Sequence, residues 1–179
     1  MAFQQRERKL VKFEDTKFIF MTNFSGDPAR DNFGNSSRKV NIIIPSYEQA
    51  QAMIAEGLNV KETKPRPGEE EGFIPDYYIV LYIGYRNRYN EPVKNPPRIY
   101  IVSGSSSVPV LLDENSVGDL DHIFIKNVKC VASIYENQVT GKKTLYVRTM
   151  YVEQDLDDDP FAADYAKGAV VEEDDDLPF

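Results

Sequence analysis

Apolar and polar residues alternate in several short segments between residues 13 and 152, which is the pattern of β-strands that bury one face. At 77–85, for example, Ile79, Leu81 and Ile83 share one face, and Tyr78 and Tyr82 lie on the other. The last two strands flank a turn that contains Gly141, which indicates a β-hairpin. The predicted strands are 13–21, 38–44, 77–85, 98–102, 108–112, 122–135 and 143–152.

One segment has the features of a helix instead. Ser46 and Gln49 match a capping box and Gly57 provides a natural end, so a helix is predicted at 46–56. One helix with several short strands and long loops favours a small closed or partly open barrel over a helical bundle. A doubly wound sheet is also disfavoured, because that fold needs helices on both faces of its sheet.

The charge of the chain is divided between a basic body and an acidic tail. Residues 153–179 hold eleven Asp and Glu against one Lys, which leaves eighteen acids and twenty bases in residues 1–152. The net charge of −8 for the whole chain therefore hides a body with a net charge of +2. This asymmetry suggests that the body binds nucleic acid, and the composition of the tail predicts disorder.

The sequence contains no arrangement that is typical of an enzyme or a metal site. Cys130 and His122 are the only cysteine and histidine, which excludes an intramolecular disulfide and disfavours structural zinc. Asp119 and Asp121 beside His122 are the one pair that could suggest a nuclease, and no other titratable group converges on them. We therefore expect no catalysis, no metal and no cofactor. Without an apolar run of membrane-spanning length or an N-terminal signal, a cytoplasmic protein without membrane contact is expected.

The last six residues combine acids with an apolar end. The acids are attracted to a basic surface, and the final phenylalanine offers a ring and an α-carboxylate that one pocket with an arginine could bind together. This tip resembles that of bacterial single-stranded DNA-binding proteins. The resemblance implies docking of replication or recombination proteins, such as a polymerase, primase, helicase or nuclease. The candidate partner-binding residues are Asp174, Asp175, Asp176, Leu177, Pro178 and Phe179.

The body resembles bacteriophage-encoded single-stranded DNA-binding proteins. The matching segments are NFSG at 23–26, NFG at 32–34, AMIAEGLNVK at 52–61 and GKKTLYVRTMYVE at 141–153. The resemblance implies an OB fold, binding of strands without much sequence preference, and a role in replication or recombination. Single residues that contact DNA must instead be inferred from the strand pattern.

Tyrosine and arginine recur together on the strand faces that point away from the predicted core. Single-strand binding uses rings that stack on bases and cations that contact phosphates, and three strands offer both at even spacing. Ordinary half-exposed sheets also carry such residues, so that alternative stays open for each one. Lysines of the hairpin and residues of the first long loop could extend the surface. The candidate DNA-binding residues are Tyr78, Tyr82, Arg86, Arg98, Tyr100, Tyr146, Arg148, Lys142, Lys143, Arg38, Lys39 and Phe33.

Together these patterns predict a mainly β protein, with an OB-type barrel of five to six strands, one helix and a disordered acidic C-terminal tail. The predicted organisation is a flexible basic arm at 1–12, a single-stranded DNA-binding OB domain at 13–152 and the tail at 153–179. The expected function is to coat and protect single-stranded DNA during phage DNA replication, recombination or repair, and to recruit partner proteins. The alternative is an OB-fold interaction adaptor whose acidic tail mimics DNA. Steep weakening by salt would favour DNA binding, because that binding releases counterions.

Overall fold

The computed structural model describes residues 9–104 and 108–156, which form a mainly β fold with one α-helix. The helix α1 is Tyr47–Ala55, and short 3-10 helices lie at Pro28–Arg30 and Val117–His122. The nine strands are β1 Leu10–Thr16, β2 Phe18–Asn23, β3 Lys39–Ile43, β4 Lys61–Glu62, β5 Tyr77–Tyr82, β6 Arg98–Val102, β7 Val110–Leu112, β8 Ile125–Glu136 and β9 Lys143–Gln154.

All of these strands belong to one mixed sheet with the order β1-β8-β9-β5-β3-β2, in which β4 pairs with β5, and β6 pairs with β7 and β9. The long strand β9 organises the sheet, since it pairs with β8 along one side and with two strands in succession along the other. Its first half, residues 143–148, lies beside β5, and its second half, residues 149–154, lies beside β6. Each half therefore exposes its outer residues next to a different neighbour.

The strands at the two ends of this order, β1 and β2, are separated only by Lys17. β1 pairs with β8 and β2 pairs with β3, so one continuous segment follows both ends of the sheet. The sequence predicted a single strand here. Asp15 and Phe20 adopt left-handed backbone angles, with φ of 50° and 63°, and the register of each pairing shifts nearby. The chain thus bends from one pairing into the other.

The prediction of a mainly β fold with one helix is confirmed. The sheet has nine strands rather than five or six, and it is open, because β1 and β2 do not pair with each other within the described ranges. All seven predicted segments form strands, and the first of them divides into β1 and β2. The remaining strand, β4, is one lysine and one glutamate, both exposed, so no alternation could reveal it. The strands also extend past the predicted domain, since β1 begins at Leu10 and β9 ends at Gln154.

The core lies against the inner face of the sheet and under α1. Ile79, Leu81 and Ile83 are buried, as the alternation predicted. The predicted helix also forms, and the side chain of its N-cap residue Ser46 accepts a hydrogen bond from the backbone N–H of Gln49. No helix in the described part of the chain is long and apolar enough to cross a membrane.

A β-bulge divides β9 near the point where its neighbour changes. The buried residues are Leu145 and Val147 in the first half and Met150 and Val152 in the second. A shift in the register with β8 accounts for the change of parity. Each half of β9 consequently turns a tyrosine toward the outer face.

Candidate nucleic-acid interface

The outer face beside the first half of β9 carries three tyrosine rings, here called the tyrosine cluster. Tyr146 pairs with Tyr82 of β5, and their ring centroids are 5.8 Å apart with planes inclined by 38°. Tyr135 of β8 meets Tyr146 edge to face, at 6.1 Å and 89°. Because no contact in the cluster is a parallel stack, a flat base can reach a ring face that is not already covered.

A polar groove of about 790 Å³ opens beside the tyrosine cluster. Arg38 and Arg86 line it together with Tyr82 and Tyr146. The groove therefore brings together four of the predicted DNA-binding residues, which come from β5, from β9 and from the segments next to β3 and β5. The polar groove thus combines predicted rings with predicted cations in a single concave surface.

Both arginines of the polar groove are fixed by contacts with their neighbours. Arg38 donates from Nη1 to the carbonyl oxygen of Phe24 at 2.8 Å, and its guanidinium lies 5.3 Å from the ring centroid of Tyr85. Arg86 Nε lies 2.8 Å from Oε1 of Glu114. Among the described residues that line the groove, Glu114 is the only acid. It therefore offsets part of the positive potential that a phosphate would meet there.

Tyr85 lines the polar groove and is only 7% exposed. Its hydroxyl has no hydrogen-bond partner within residues 9–104 and 108–156. Burial raises the pKa of Tyr85 to about 12, so the hydroxyl stays protonated at neutral pH. Buried hydroxyls nearly always have a partner. The Tyr85 hydroxyl is an exception to this rule within the described residues, and it is closed to solvent.

A second groove, of about 690 Å³, shares Tyr85 and Glu114 with the polar groove and runs past the middle of β9. We call it the proline groove, since three prolines line it. It holds the predicted residues Arg98 and Arg148, together with Lys94, which the strand pattern could not identify because it lies in a loop. The two grooves therefore adjoin each other at Tyr85 and Glu114.

The second half of β9 has a different aromatic arrangement. Tyr151 stacks on Tyr100 of β6, with centroids 4.8 Å apart and planes inclined by 9°. A cavity of about 390 Å³ beside Tyr151 is lined by two lysines, and each of these is paired with an acid. The ion pairs are Lys12 with Glu14 at 2.7 Å and Lys129 with Asp15 at 3.7 Å. The predicted residue Tyr100 thus lies in a part of the sheet that is separate from the tyrosine cluster.

The predicted residue Tyr78 lies at the opposite end of β5 from Tyr82. Its ring meets Phe20 of β2 edge to face, at 5.1 Å and 79°. It also lines a cleft with Lys61 and Lys64. Tyr78 therefore has its own ring partner and its own cations, apart from those of the polar groove.

The first long loop, which carries Phe33, is fixed by two carboxylates. Lys39 Nζ lies 3.0 Å from Oδ1 of Asp31, and this hydrogen bond lowers the pKa of Asp31. The buried side chain of Asp121 accepts hydrogen bonds from the backbone N–H groups of Phe24 and Ser25 at 2.8 and 3.0 Å. Phe33 itself is 85% exposed. Lys39 and Asp121 thus hold the loop that borders the polar groove.

The two predicted lysines of the hairpin have different environments. Lys143 Nζ donates to the carbonyl oxygen of Glu56 at the C-terminal end of α1, and it thereby satisfies a carbonyl that the helix leaves free. Lys142 is exposed at the hairpin turn. The predicted partner-binding residues 174–179 lie outside the described residues, as do residues 1–8 of the predicted arm.

Three rings next to the predicted tyrosines were missed by the sequence reasoning. Tyr151 could have been found, because the apolar positions 145, 147, 150 and 152 contain one step of three, which indicates a bulge. Tyr135 could have been found by pairing the two strands of the hairpin. Phe20 had no such signal, because its position depends on a left-handed backbone angle.

The similarity of this chain to known proteins extends over almost its full length. A family model described as "Putative phage ssDNA-binding domain" matches residues 1–177. No curated protein gives a significant match. Among solved structures, the crystal structure of gp2.5, a single-stranded DNA binding protein encoded by bacteriophage T7, matches with a TM-score of 0.41 and 12% sequence identity, over 83% of this chain and 87% of that chain. The family match includes all the rings and both grooves described above.

Proposed function

This chain belongs to the family of phage single-stranded DNA-binding domains, and we propose that it coats single-stranded DNA and protects it during replication, recombination or repair. The polar groove carries this proposal, because it places two arginines beside the tyrosine cluster. Cations for phosphates and ring faces for bases are the two parts that binding without sequence preference requires.

The arrangement of the polar groove suggests how a strand is held. Bases stack on Tyr82 and Tyr146 while Arg38 and Arg86 contact phosphates. Every base has a π-face, so stacking tolerates any sequence. A duplex keeps its bases paired and stacked inside, so it can offer the groove phosphates but no free base. The protein should therefore prefer single strands.

The other predicted DNA-binding residues have lesser roles in this proposal. Arg98 and Arg148 would contact the strand as it continues into the proline groove. Tyr100 would offer one ring face, since the other is covered by Tyr151. Lys39 and Lys143 already have protein partners, so they would add only positive charge around the two grooves. Lys142 would also add charge, and Phe33 would add apolar area.

We also propose that the open sheet is a variant of the OB-type barrel. The continuous segment from β1 to β2 supports this, because it pairs with β8 at one end and with β3 at the other. Lys17 links the two pairings, and its carbonyl oxygen accepts a hydrogen bond from the N–H of Ile43 at 2.9 Å. A single bent strand that borders both ends of a sheet is what closure of a small barrel needs.

A further part of the proposal is that the acidic tail recruits partner proteins in the cytoplasm of the bacterial host. The charge asymmetry supports this, since the tail is an anion tethered to a basic body. Deletion of Phe179 should abolish capture of the replication protein that the tip binds. The same deletion should hardly change DNA affinity, because it removes a ring without changing the net charge. Loss of DNA affinity on this deletion would contradict separate roles for body and tip.

Titration of labelled oligonucleotides at two salt concentrations tests the proposed function. We expect single strands of mixed sequence to bind more tightly than a duplex of equal length, and to quench tyrosine emission. Binding should weaken steeply with salt, because phosphate contacts release counterions. Equal or tighter binding of duplex would contradict the proposal. Absence of DNA binding, with a salt-insensitive protein complex, would favour the adaptor.

A further inference from the structure

Phe20 has a backbone conformation that is rare for its residue type. Its φ of 63° lies in the left-handed region, which is sterically costly for a residue with a bulky side chain. The residue is 62% exposed, so burial in the core does not offset this cost. Strained residues that persist in a fold tend to lie at functional sites. A strained residue that exposes an aromatic ring therefore suggests a ligand for the ring.

The surroundings of Phe20 contain the other groups that a nucleic-acid contact needs. Tyr78 and Phe20 meet edge to face at 5.1 Å, which covers at most one face of the exposed Phe20 ring and leaves the other for a stacked group. Lys61 pairs with Tyr78 across β4 and β5. Lys64 joins them along a cleft of about 520 Å³, whose one acid is Glu62. Both lysines are exposed, so their charges can reach a phosphate.

We propose that Phe20 and Tyr78 form a second base-stacking subsite, with Lys61 and Lys64 as its phosphate contacts. This inference rests on the proposed function, and it extends the binding surface beyond the polar groove. Tyr78 and Tyr82 share one face of β5 and are four residues apart, which is about 13 Å at the usual rise of a strand. One DNA strand of a few nucleotides can therefore occupy the tyrosine cluster and the Phe20 subsite together.

Two substitutions separate a ligand-binding ring from a structural one. Phe20→Gly and Phe20→Asn both remove the ring, and both residues tolerate a left-handed backbone better than phenylalanine does. We expect their melting temperatures to equal or exceed that of the parent, because strain is relieved. We expect affinity for single-stranded DNA to fall about tenfold, the loss typical of one stacked base. Phe20→Tyr should restore binding.

Met21→Ala is the matched control. Met21 is the next residue along β2 and is 61% exposed, so its substitution removes an equally exposed apolar side chain without removing a ring. Its DNA affinity should equal that of the parent. If both Phe20 variants bind DNA like the parent, the subsite does not exist. The same conclusion follows if they lose stability and keep their affinity.

Cross-linking of the unmodified protein gives a test that does not depend on folding of a variant. Irradiation with a bromodeoxyuridine oligonucleotide should label the side chain of Phe20 or Tyr78, as located by sequencing of the labelled peptides, in addition to rings of the tyrosine cluster. Labelling of Tyr146 without Phe20 or Tyr78 would overturn the subsite and leave the proposed function intact. Failure of the parent protein to prefer single strands would instead overturn the proposed function itself.

Discussion

The two halves of β9 expose the same type of residue and differ in what surrounds it. In the first half, Tyr146 contacts two rings that are inclined to its own plane, beside a groove with two arginines and one glutamate. In the second half, Tyr151 lies parallel to Tyr100, beside two lysines that are each paired with an acid. In the first arrangement no ring contact is a parallel stack and two arginines face one acid. In the second arrangement each ring covers one face of the other, and each lysine has its own acid.

The difference shows that alternation identifies an outer face without identifying a binding face. A tyrosine on either half satisfies the same period-two pattern. What distinguishes them is the strand that lies alongside, β5 or β6, and this depends on the topology of the sheet. We therefore expect DNA binding to depend on the first half of β9 and stability to depend more on the second.

Substitution of the tyrosine cluster should have the largest effect on DNA binding. Tyr82→Ala and Tyr146→Ala should each weaken binding of single strands by about 1–3 kcal/mol, the usual value of one stacked base. Both should stay folded, because neither side chain belongs to the buried core. Fluorescence anisotropy with a labelled oligonucleotide measures the first effect, and thermal unfolding followed by circular dichroism checks the second.

Tyr47→Ala provides the control for the tyrosine cluster. Tyr47 is an exposed tyrosine on α1 that also contacts another ring, Tyr77, and it lines neither groove. Its removal should leave DNA affinity unchanged. Parental affinity in both cluster variants would show that the first half of β9 is not the binding face.

Removal of the acidic tail should strengthen DNA binding several-fold at low salt. Residues 157–179 carry nine acids and one lysine, and tethering gives them a high effective concentration at the basic surface. Truncation after Leu156 is the suitable variant, since Glu153 and Gln154 still pair within the sheet. The gain should shrink at high salt, where the attraction is screened. It should also shrink in an Arg38→Ala background if the polar groove is where the tail competes. Weaker binding after truncation would make the tail part of the DNA site.

Glu114→Gln should tighten DNA binding by a smaller factor. The substitution releases Arg86 from its ion pair and removes the one acid among the described lining residues of the polar groove. The gain should be below about 1 kcal/mol, which is the range of partly exposed ion pairs. Titrations at several salt concentrations should show a steeper dependence, because the phosphate contact of Arg86 is then no longer shared with Glu114. Glu69→Gln makes the same charge change in a remote loop, and an equal gain from both would point to net charge alone.

Much of the fold could be predicted from the sequence, because buried apolar residues recur at regular spacings along strands and helices. The buried face of β5, the helix capped by Ser46 and the hairpin around Gly141 all follow from local patterns. The division of the first strand into β1 and β2 could not be predicted from local patterns, because Asp15 and Phe20 adopt left-handed angles that are not evident from their residue types. The nine-stranded open sheet could not be predicted either, because it depends on which strands pair with each other.

The candidate site was predictable in its residue types and less so in its grouping. Tyr82, Tyr146, Arg38 and Arg86 do meet in one groove, although they are distant in sequence. The pairing of Tyr100 with Tyr151 instead depends on which strand lies beside the second half of β9. A periodic sequence pattern also does not reveal which side chains pair with each other, as the ion pair of Lys39 with Asp31 shows.

Tyr151→Ala should have the smallest effect on DNA binding and a clear effect on stability. Its ring stacks on Tyr100, and such a pair contributes about 0.5–1.5 kcal/mol beyond the area that it buries. The free energy of unfolding, measured with denaturant, should therefore fall by at least about 1 kcal/mol, while DNA affinity should change less than about threefold, well below the loss of a stacked base. Tyr100→Ala should have similar effects. The double variant should lose less stability than the sum of the two single variants, because both substitutions remove the same ring contact. A loss of DNA affinity as large as that of Tyr146→Ala would mean that a stacked pair still presents a ring face to DNA. Both halves of β9 would then belong to the binding face.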